Sequence, residues 1–377
     1  MAGWYDIGER AASASRAWTF AGALAWSLLA AGVTACKPAD GQPTGGAPSL
    51  GTRSYRLGFA NVPPTDDLPL AVRSLQLWAE RADAAIIHAE PPWTSILAGE
   101  SMTNILERDW DGVVQFWRGK GMELVVVVDP SNGIQRESDS DNLRKAGRSM
   151  TDPAIQALYR QWVRALVTRY HPAGIGLAVE TNLIRDAAPP ALYGAIVTAA
   201  NAAAADVRGI DATIPRFITV QVEHAWGRLA GTNRYVGVEQ DFRDFPFVEW
   251  LGLSSYPYLG GFTEPSEVPD DWYTRPLGGR RLPTLVTEGG WSSATTATFQ
   301  SSPQRQARWI HRQGELAALL TPRYVFQLTF TDLSSRVFGS DARLLPFLRL
   351  GMVDTALAPK PALAAWDSLY RKTWKAP

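Results

Sequence analysis

From residue 55 onward, short apolar runs alternate with segments of helical periodicity. The apolar runs predict strands at 55–60, 84–88, 122–128, 175–179, 216–222, 247–254, 282–286 and 324–330. Apolar residues at helical spacing predict helices at 68–82, 110–118, 152–170, 190–207, 303–320 and 361–375. The run at 124–128 is apolar without alternation, which is typical of a strand buried on both faces.

This order of elements favours a closed parallel barrel. Eight predicted strands that alternate mostly with helices match the strand number of a (β/α)₈ or TIM barrel. The alternative is a doubly wound open sheet, which usually carries a glycine-rich turn after its first strand. Here the first strand ends at Asn61-Val62-Pro63-Pro64, without a glycine. We therefore predict one α/β domain of the (β/α)₈ type over 54–377, with the long polar loop 260–281 on the rim of its cleft.

The N-terminal region has the pattern of a targeting segment. Arg10 and Arg16 precede an apolar run at 17–33, which is the order of a secretory signal. The run leads into Val33-Thr34-Ala35-Cys36, which resembles the lipobox of bacterial lipoproteins, where the cysteine becomes the lipidated first residue. A plain signal anchor is the alternative, because the run is about long enough for a marginal transmembrane helix.

These features predict how the chain is organised before the barrel. Residues 1–36 are predicted to be a signal peptide with lipidation at Cys36, which is the only cysteine, so we expect no internal disulfide. Residues 37–53 are rich in Pro, Gly, Ala and Ser and are predicted to be a flexible linker. We expect the protein to lie outside the cytoplasm, held to a bacterial cell membrane by the N-terminal lipid alone.

Composition narrows the class of partner. The chain is 46% hydrophobic and 20% charged, as globular proteins are, and its 37 basic residues balance 37 acidic ones. Without a basic excess we expect no nucleic-acid partner. Tryptophan is frequent, with 15 residues. The flat apolar face of an indole suits sugar rings, although tryptophan also fills protein cores.

In a parallel barrel the side chains at the C-terminal strand ends converge on one site. Here those side chains are carboxylates, amides and aromatics: Asn61, His88, Glu90, Trp93, Asp129, Asn132, Glu180, Asn182, Glu223, His224, Trp226, Tyr256, Glu288, Trp291, Thr331 and Asp332. Metal-binding patterns such as His-Glu-x-x-His are missing from the sequence, so we predict no metal and no cofactor. The sequence also lacks the Gly-x-Ser-x-Gly and phosphate-loop motifs, which disfavours serine-hydrolase and nucleotide chemistry.

Two of these carboxylates end strands that otherwise look fully buried. Glu180 follows the apolar run of predicted strand four, and Glu288 follows that of predicted strand seven and precedes Gly289-Gly290-Trp291. A pair of carboxyl groups beside aromatic side chains suits glycoside hydrolysis, in which one donates a proton and the other attacks the anomeric carbon. We predict that Glu180 and Glu288 face each other across a sugar-binding cleft.

Glutamates at the ends of strands four and seven define the clan-A retaining glycoside hydrolases, which this chain resembles. Within the clan it looks like the arabinogalactan endo-β-1,4-galactanase family. The segment 252–258, Gly-Leu-Ser-Ser-Tyr-Pro-Tyr, resembles that family's Gly-Leu-Ser-Tyr-Tyr-Pro, and the segment 287–291 resembles the clan's nucleophile strand. The resemblance implies that Glu288 is the nucleophile, that Glu180 is the general acid/base, and that Tyr256 hydrogen-bonds the nucleophile.

The remaining candidates are predicted to bind substrate, with Trp291 as a stacking wall: Trp93, Asn182, His224, Trp226 and Trp291. The sequence also departs from the clan. Val179 precedes Glu180 where the clan has an asparagine, and predicted strand two ends at Ile87-His88-Ala89-Glu90 without the clan's arginine. The first hypothesis is therefore a retaining glycosidase acting on a β-linked oligo- or polysaccharide. The second is a catalytically inactive, glycan-binding barrel lipoprotein.

Overall fold

The computed structural model describes residues 51–229, 231–339 and 343–376. Its centre is a closed barrel of eight parallel strands, which confirms the predicted (β/α)₈ class. We number the barrel strands in chain order: β1 Arg56–Ala60, β2 Ala84–Ala89, β3 Glu123–Val128, β4 Gly174–Gly176, β5 Arg216–Gln221, β6 Trp250–Ser255, β7 Thr284–Gly289 and β8 Tyr324–Gln327. Each strand pairs with the next, and β8 closes the barrel on β1.

Helices surround the barrel, and those predicted from periodicity are present within a few residues of their expected ends. The longer helices are Leu68–Ala79, Met102–Asp109, Asp111–Gly119, Pro153–Tyr170, Pro190–Ile210, Pro303–Leu320 and Pro361–Tyr370, of which Met102–Asp109 was not predicted. Shorter helices in the connecting loops were not predicted: Trp93–Leu97, Asp141–Lys145, Thr181–Ala187, Val222–Ala225, Glu239–Asp244 and Ser335–Phe338. The predicted long loop contains two turns of 3₁₀ helix, Pro265–Glu267 and Arg275–Leu277, and a third, Pro257–Gly260, ends at its first residue.

Two strands differ from prediction in a way that affects the site. Predicted strand four, 175–179, is only Gly174–Gly176, because the chain leaves the ladder before Glu180. Predicted strand seven, 282–286, instead runs over Thr284–Gly289, so Glu288 lies inside the ladder and pairs with Ser254. An apolar run marks where a strand is buried, but it does not show where ladder pairing begins and ends.

A two-stranded parallel sheet joins the two ends of the described fold. Thr52–Arg53 pairs with Thr373–Trp374, and Arg53 is buried with its guanidinium 2.7 Å from Asp83. The sequence had placed 52–53 in the linker and 373–374 in a helix, so both segments differ from expectation. The predicted signal peptide, Cys36 and the linker up to residue 50 lie outside the described residues. Among the described helices, none is both long and apolar enough to cross a bilayer.

The core has two layers. Inside the barrel, the inward-facing side chains of the strands pack on one another, among them Ile86, Val127 and Phe217. Between the strands and the helices lies a larger apolar layer. Five tryptophans on the surrounding helices are buried there: Trp78, Trp117, Trp162, Trp309 and Trp366.

Candidate active site

A pocket of about 570 Å³ opens at the C-terminal ends of the barrel strands. That volume is within the range of small-molecule sites. The pocket includes both glutamates predicted to be catalytic, and its polar lining is formed largely by strand-end residues: His88, Glu90, Asp129, Arg136, Glu180, Gln221, Tyr256 and Glu288.

Glu180 reaches the pocket through an unusual backbone conformation. Its φ and ψ are 47° and 48°, in the left-handed region that residues other than glycine seldom adopt. The bend directs the chain from β4 into the helix Thr181–Ala187, and the Glu180 amide donates a 2.8 Å hydrogen bond to Thr219 Oγ1. Such strain costs on the order of 1–3 kcal/mol and clusters at functional sites, where the surrounding structure holds it.

Glu288 reaches the pocket through a β-bulge. Leu253 pairs with Val286, but Ser254 pairs with Glu288, so Thr287 is an extra residue in β7. The Thr287 methyl group faces the barrel interior, 2.9 Å from where a Cβ on Gly252 would lie. Strict alternation would then point Glu288 out of the barrel. The bulge turns it inward again, which is how bulges commonly redirect a side chain next to a functional site.

The carboxyl group of Glu180 is buried and has two polar partners. Ser254 Oγ lies 2.5 Å from Oε1, and the Nε of Arg136 donates a 2.9 Å hydrogen bond to Oε2. Burial raises the pKa of Glu180, the negative charge of Glu288 raises it further, and Arg136 opposes both effects. The net direction is upward, so this carboxyl holds its proton to higher pH than an ordinary glutamic acid.

The carboxyl group of Glu288 is shifted the other way. Burial by itself would raise its pKa, but the charge of His88, a hydrogen bond with His88 and the charge of Arg136 together lower it. His88 Nδ1 lies 3.3 Å from Glu288 Oε2. Burial lowers the pKa of His88, and the Glu288 charge and hydrogen bond outweigh that effect and raise it. The imidazolium form of His88 and the carboxylate form of Glu288 therefore stabilise each other.

Sequence reasoning missed Arg136. It lies in the loop after β3, where its Nη1 donates a 2.7 Å hydrogen bond to Asp129 Oδ2 and another of 3.1 Å to Ser131 Oγ. Its side chain is only 7% exposed, so it is a buried cation between two buried carboxylates. The available signal was Asp129 itself, since a buried carboxylate at a strand end requires a cationic or hydrogen-bonding partner.

Tyr256 lines the pocket next to both glutamates. Burial raises the pKa of Tyr256 well above its ordinary value, and the negative charges of Glu288 and Glu180 add to the shift. Within the described residues its hydroxyl is not hydrogen-bonded to Glu288, and that contact is made by His88. Tyr256 therefore lines the pocket, but the hydrogen bond to Glu288 that the resemblance implied is not formed in this structure.

Three other candidates lie near the pocket and have protein partners. Asn182 is buried, and its side chain bonds the backbone N–H and C=O of Gln221. His224 Nε2 lies 2.7 Å from Asp186 Oδ2. The indole of Trp226 stacks on Trp272 at a centroid distance of 5.0 Å. These contacts brace the strand ends, and none of the three candidates lines the pocket.

The two tryptophans expected at the cleft are enclosed. Trp291 is 1% exposed, packs on Tyr258 and Trp309, and donates its indole N–H to Ser301. Trp93 is fully buried. Neither indole therefore offers a face to a sugar in this structure.

The arrangement places in one pocket two carboxyl groups whose pKa values are shifted in opposite directions. Ser254 contacts Glu180 directly, and a hydrogen bond to Ser254 also contributes to the lowered pKa of Glu288. In the part of the chain that the structure describes, no group of three or more His, Cys, Asp and Glu side chains is arranged to hold a metal ion.

Comparisons with known proteins agree with the fold. No protein-family model matches the sequence, and no curated protein matches it. Among solved structures, the chain is similar to GH5_18 from Streptomyces cattleya in complex with GlcNAc, with a TM-score of 0.61 and 17% identity over 86% of this chain and 82% of that one. It is also similar to the Ignisphaera aggregans GH53 catalytic domain, with a TM-score of 0.58 and 13% identity over 90% and 100%.

A third similar structure is xylanase 10B from Thermotoga petrophila RKU-1 in complex with xylobiose, with a TM-score of 0.54 and 13% identity over 85% and 94% of the two chains. At these identities the likeness is one of fold, shared with clan-A glycoside hydrolases as a group. The galactanase family is not singled out among them.

Proposed function

We propose that this protein is a retaining glycoside hydrolase that acts on a β-linked oligo- or polysaccharide, with Glu288 as nucleophile and Glu180 as general acid/base. The observation that carries the proposal is that Glu180 and Glu288 line one pocket with different partners, Arg136 and Ser254 at Glu180 and His88 at Glu288. In addition, the pKa of Glu180 is raised and the pKa of Glu288 is lowered, although both carboxyl groups are buried in one pocket. A pair of titratable groups pushed apart in this way is suited to work as a proton donor and a nucleophile.

In the first step the ionised Glu288 attacks the anomeric carbon. The bond to the glycosidic oxygen breaks, and the Glu180 proton passes to that oxygen, so that the leaving group departs as a neutral alcohol. In the second step Glu180, now a carboxylate, takes a proton from water as the water oxygen attacks the same carbon. The ester bond to Glu288 breaks and the sugar is released with its original anomeric configuration.

His88 supports this assignment. The clan's arginine is missing from the end of strand two, but His88 stands at that strand end and contacts Glu288. A cation beside the nucleophile keeps it ionised at lower pH. The missing arginine was one of the two reasons to consider an inactive barrel, and this contact weakens that reason. Val179 remains in place of the clan's asparagine, fully buried inside the barrel.

Substrate and location are parts of the same proposal. The structural neighbours include proteins bound to GlcNAc and to xylobiose, and by analogy we propose a β-linked carbohydrate as the substrate here. We propose also that residues 1–36 are a lipoprotein signal, so that the enzyme acts outside the cytoplasm while held to a membrane at Cys36.

The test is hydrolysis of a panel of aryl β-glycosides and of β-glucans, β-galactans and β-mannans by the full-length protein. Glu288→Gln should lose more than about 100-fold in kcat/KM, as expected when a nucleophile is removed. Glu180→Gln should lose little with a leaving group that departs without protonation, and far more with a poor one, because only the poor one needs the acid.

Glu239→Gln is the matched control, since Glu239 is half-exposed and pairs with Arg280 outside the pocket. We expect its rate to equal that of the unaltered protein. Equal activity of Glu288→Gln would overturn the assignment. Glycan binding without turnover on any substrate would favour the inactive barrel.

A further inference from the structure

Ser254 lies between the two glutamates and belongs to neither of the roles proposed above. It is fully buried on β6, with its Oγ 2.5 Å from Glu180 Oε1. The bulge in β7 sets Ser254 opposite Glu288 in the ladder, whereas regular pairing would have set it opposite Thr287. The backbone therefore sets the serine whose hydroxyl contacts Glu180 directly beside Glu288 in the neighbouring strand.

A serine hydroxyl has a single proton to donate and lone pairs with which to accept. To join the two carboxyl groups it must therefore accept a proton from one of them and donate its own to the other. The proton on Glu180 has only one suitable oxygen. Oε2 faces the Nε of Arg136, which is a donor and cannot accept, so the proton belongs on Oε1, which faces Ser254.

We propose that Ser254 is a positioning residue that accepts the proton of Glu180 and donates its own to Glu288, so that the two carboxyl groups form one hydrogen-bonded unit. This inference rests on the proposed function for its role in catalysis. The arrangement involves no covalent step and no proton transfer. The Glu180 proton stays on Glu180 and the Ser254 proton stays on Ser254 until substrate arrives. The unit holds the acid protonated and the nucleophile ionised before the reaction.

Other charged and titratable groups face the pair and set its background charge: Arg136 and Asp129 from β3 and the loop that follows it, His88 from β2 and Tyr256 after β6. Arg136 favours the ionised form of both carboxyl groups, and His88 favours that of Glu288. The two hydrogen bonds through the Ser254 hydroxyl differ from these charges, because both bonds form only when the pair of carboxyl groups holds a single proton. They therefore stabilise that state relative to both the doubly protonated and the fully ionised pair.

This difference gives the test. In Ser254→Ala the lower of the two titration midpoints should rise and the upper should fall, each by about one pH unit, which is what a hydrogen bond to a charged group contributes. If Ser254 acted only as an independent donor to each carboxylate, its removal would raise both midpoints. The predicted signature is therefore convergence of the two midpoints.

The midpoints are measured by NMR titration of the full-length protein labelled with ¹³C at the glutamate side-chain carboxyl. Signals are assigned by their disappearance in Glu180→Gln and Glu288→Gln. This measurement needs no turnover, so the inference is tested even if the protein hydrolyses none of the substrates offered. Failure of the proposed function and failure of the Ser254 inference are thus separate results.

Two further variants isolate the hydroxyl. Ser255→Ala removes the neighbouring buried hydroxyl, which donates to Glu223 Oε1 at 2.8 Å, and it should leave both midpoints in place. Ser254→Thr keeps the hydroxyl and should preserve the wide separation, and it also serves if Ser254→Ala does not fold. Midpoints that move in parallel or stay fixed in Ser254→Ala, or that converge in Ser254→Thr, would overturn the proposal.

Discussion

Replacing Arg136 with methionine removes the cation shared by Asp129 and Glu180 while keeping a side chain of similar length. Both carboxylates lie within 3 Å of the guanidinium, at 2.7 and 2.9 Å, and their side chains are 6% and 11% exposed. The variant therefore leaves two buried acidic groups without their common partner. Breaking a buried ion pair from one side destabilises a protein by about 3–5 kcal/mol.

The pH dependence of activity should change in a direction that the charges determine. Arg136 lowers the pKa of Glu180 and that of Glu288, so both pKa values rise when it is removed. Activity needs Glu288 ionised, so the acid limb of the kcat/KM profile moves to higher pH. It also needs Glu180 protonated, so the alkaline limb moves to higher pH as well.

Urea denaturation and a pH–rate profile of the variant measure the two effects. Arg160→Met is the matched control, because it breaks a 2.7 Å ion pair with Asp206 in which Arg160 is 42% exposed. We expect that control to cost less than about 1 kcal/mol and to leave the profile unchanged. In the double variant with Asp129→Asn, part of the stability should return, since one of the stranded charges is gone.

A loss in Arg136→Met no larger than in Arg160→Met would refute the claim that Arg136 compensates buried charge. A profile whose limbs stay in place would refute its electrostatic role at the site, even if stability fell.

His88→Ala should move only the acid limb of the kcat/KM profile to higher pH, because the cation that lowers the pKa of Glu288 is lost. Gly252→Ala should destabilise by about 1–3 kcal/mol in urea, since the new methyl group would lie within 3 Å of two threonine methyl groups. Its control, Gly194→Ala on an exposed helix surface with no atom within 4 Å of the new Cβ, should stabilise by roughly 0.5–1 kcal/mol. Burial raises the pKa of Glu223 to about 8, so folding retains a proton that the unfolded chain releases at lower pH, and stability falls as pH rises toward 8. Between pH 5 and pH 8 this loss of stability should lower the melting temperature, and Glu223→Gln should make the decline shallower. An unchanged slope in the variant would contradict the role given to Glu223.

The barrel was predictable because its signal is local and repeated. Each buried strand is an apolar run of a few residues, and each long helix carries its own periodicity, as in 303–320, where prediction and structure coincide. The period of two along a strand also carries His88 and Tyr256 to the pocket, since both continue the inward-facing positions of β2 and β6.

The two glutamates could be selected from the sequence, but their orientation could not be derived from it. Glu180 enters the pocket through a left-handed residue, and Glu288 enters through a bulge at Thr287. Each is a departure from regular strand geometry, and alternation by itself would turn Glu288 out of the barrel. Such irregularities depend on tertiary packing, for which this sequence carries no periodic signal.

Loops and tryptophans account for the remaining differences. Arg136 lies in an irregular loop eight residues beyond β3, where no pattern assigns a side chain to a site. Trp93 and Trp291 were expected to bind substrate, Trp291 as a stacking wall, but both fill the space between barrel and helices. A large indole stabilises a core through its area, so a position after a strand does not separate a core tryptophan from a binding one.

The stereochemistry of the first product tests the account most directly. When a β-glycoside that the enzyme accepts is hydrolysed in an NMR tube, the proposed double displacement by Glu288 predicts that the β-anomer of the released sugar appears first and then equilibrates with the α-anomer. First appearance of the α-anomer would mean a single displacement by water. That result would contradict the assignment of Glu288 as the nucleophile.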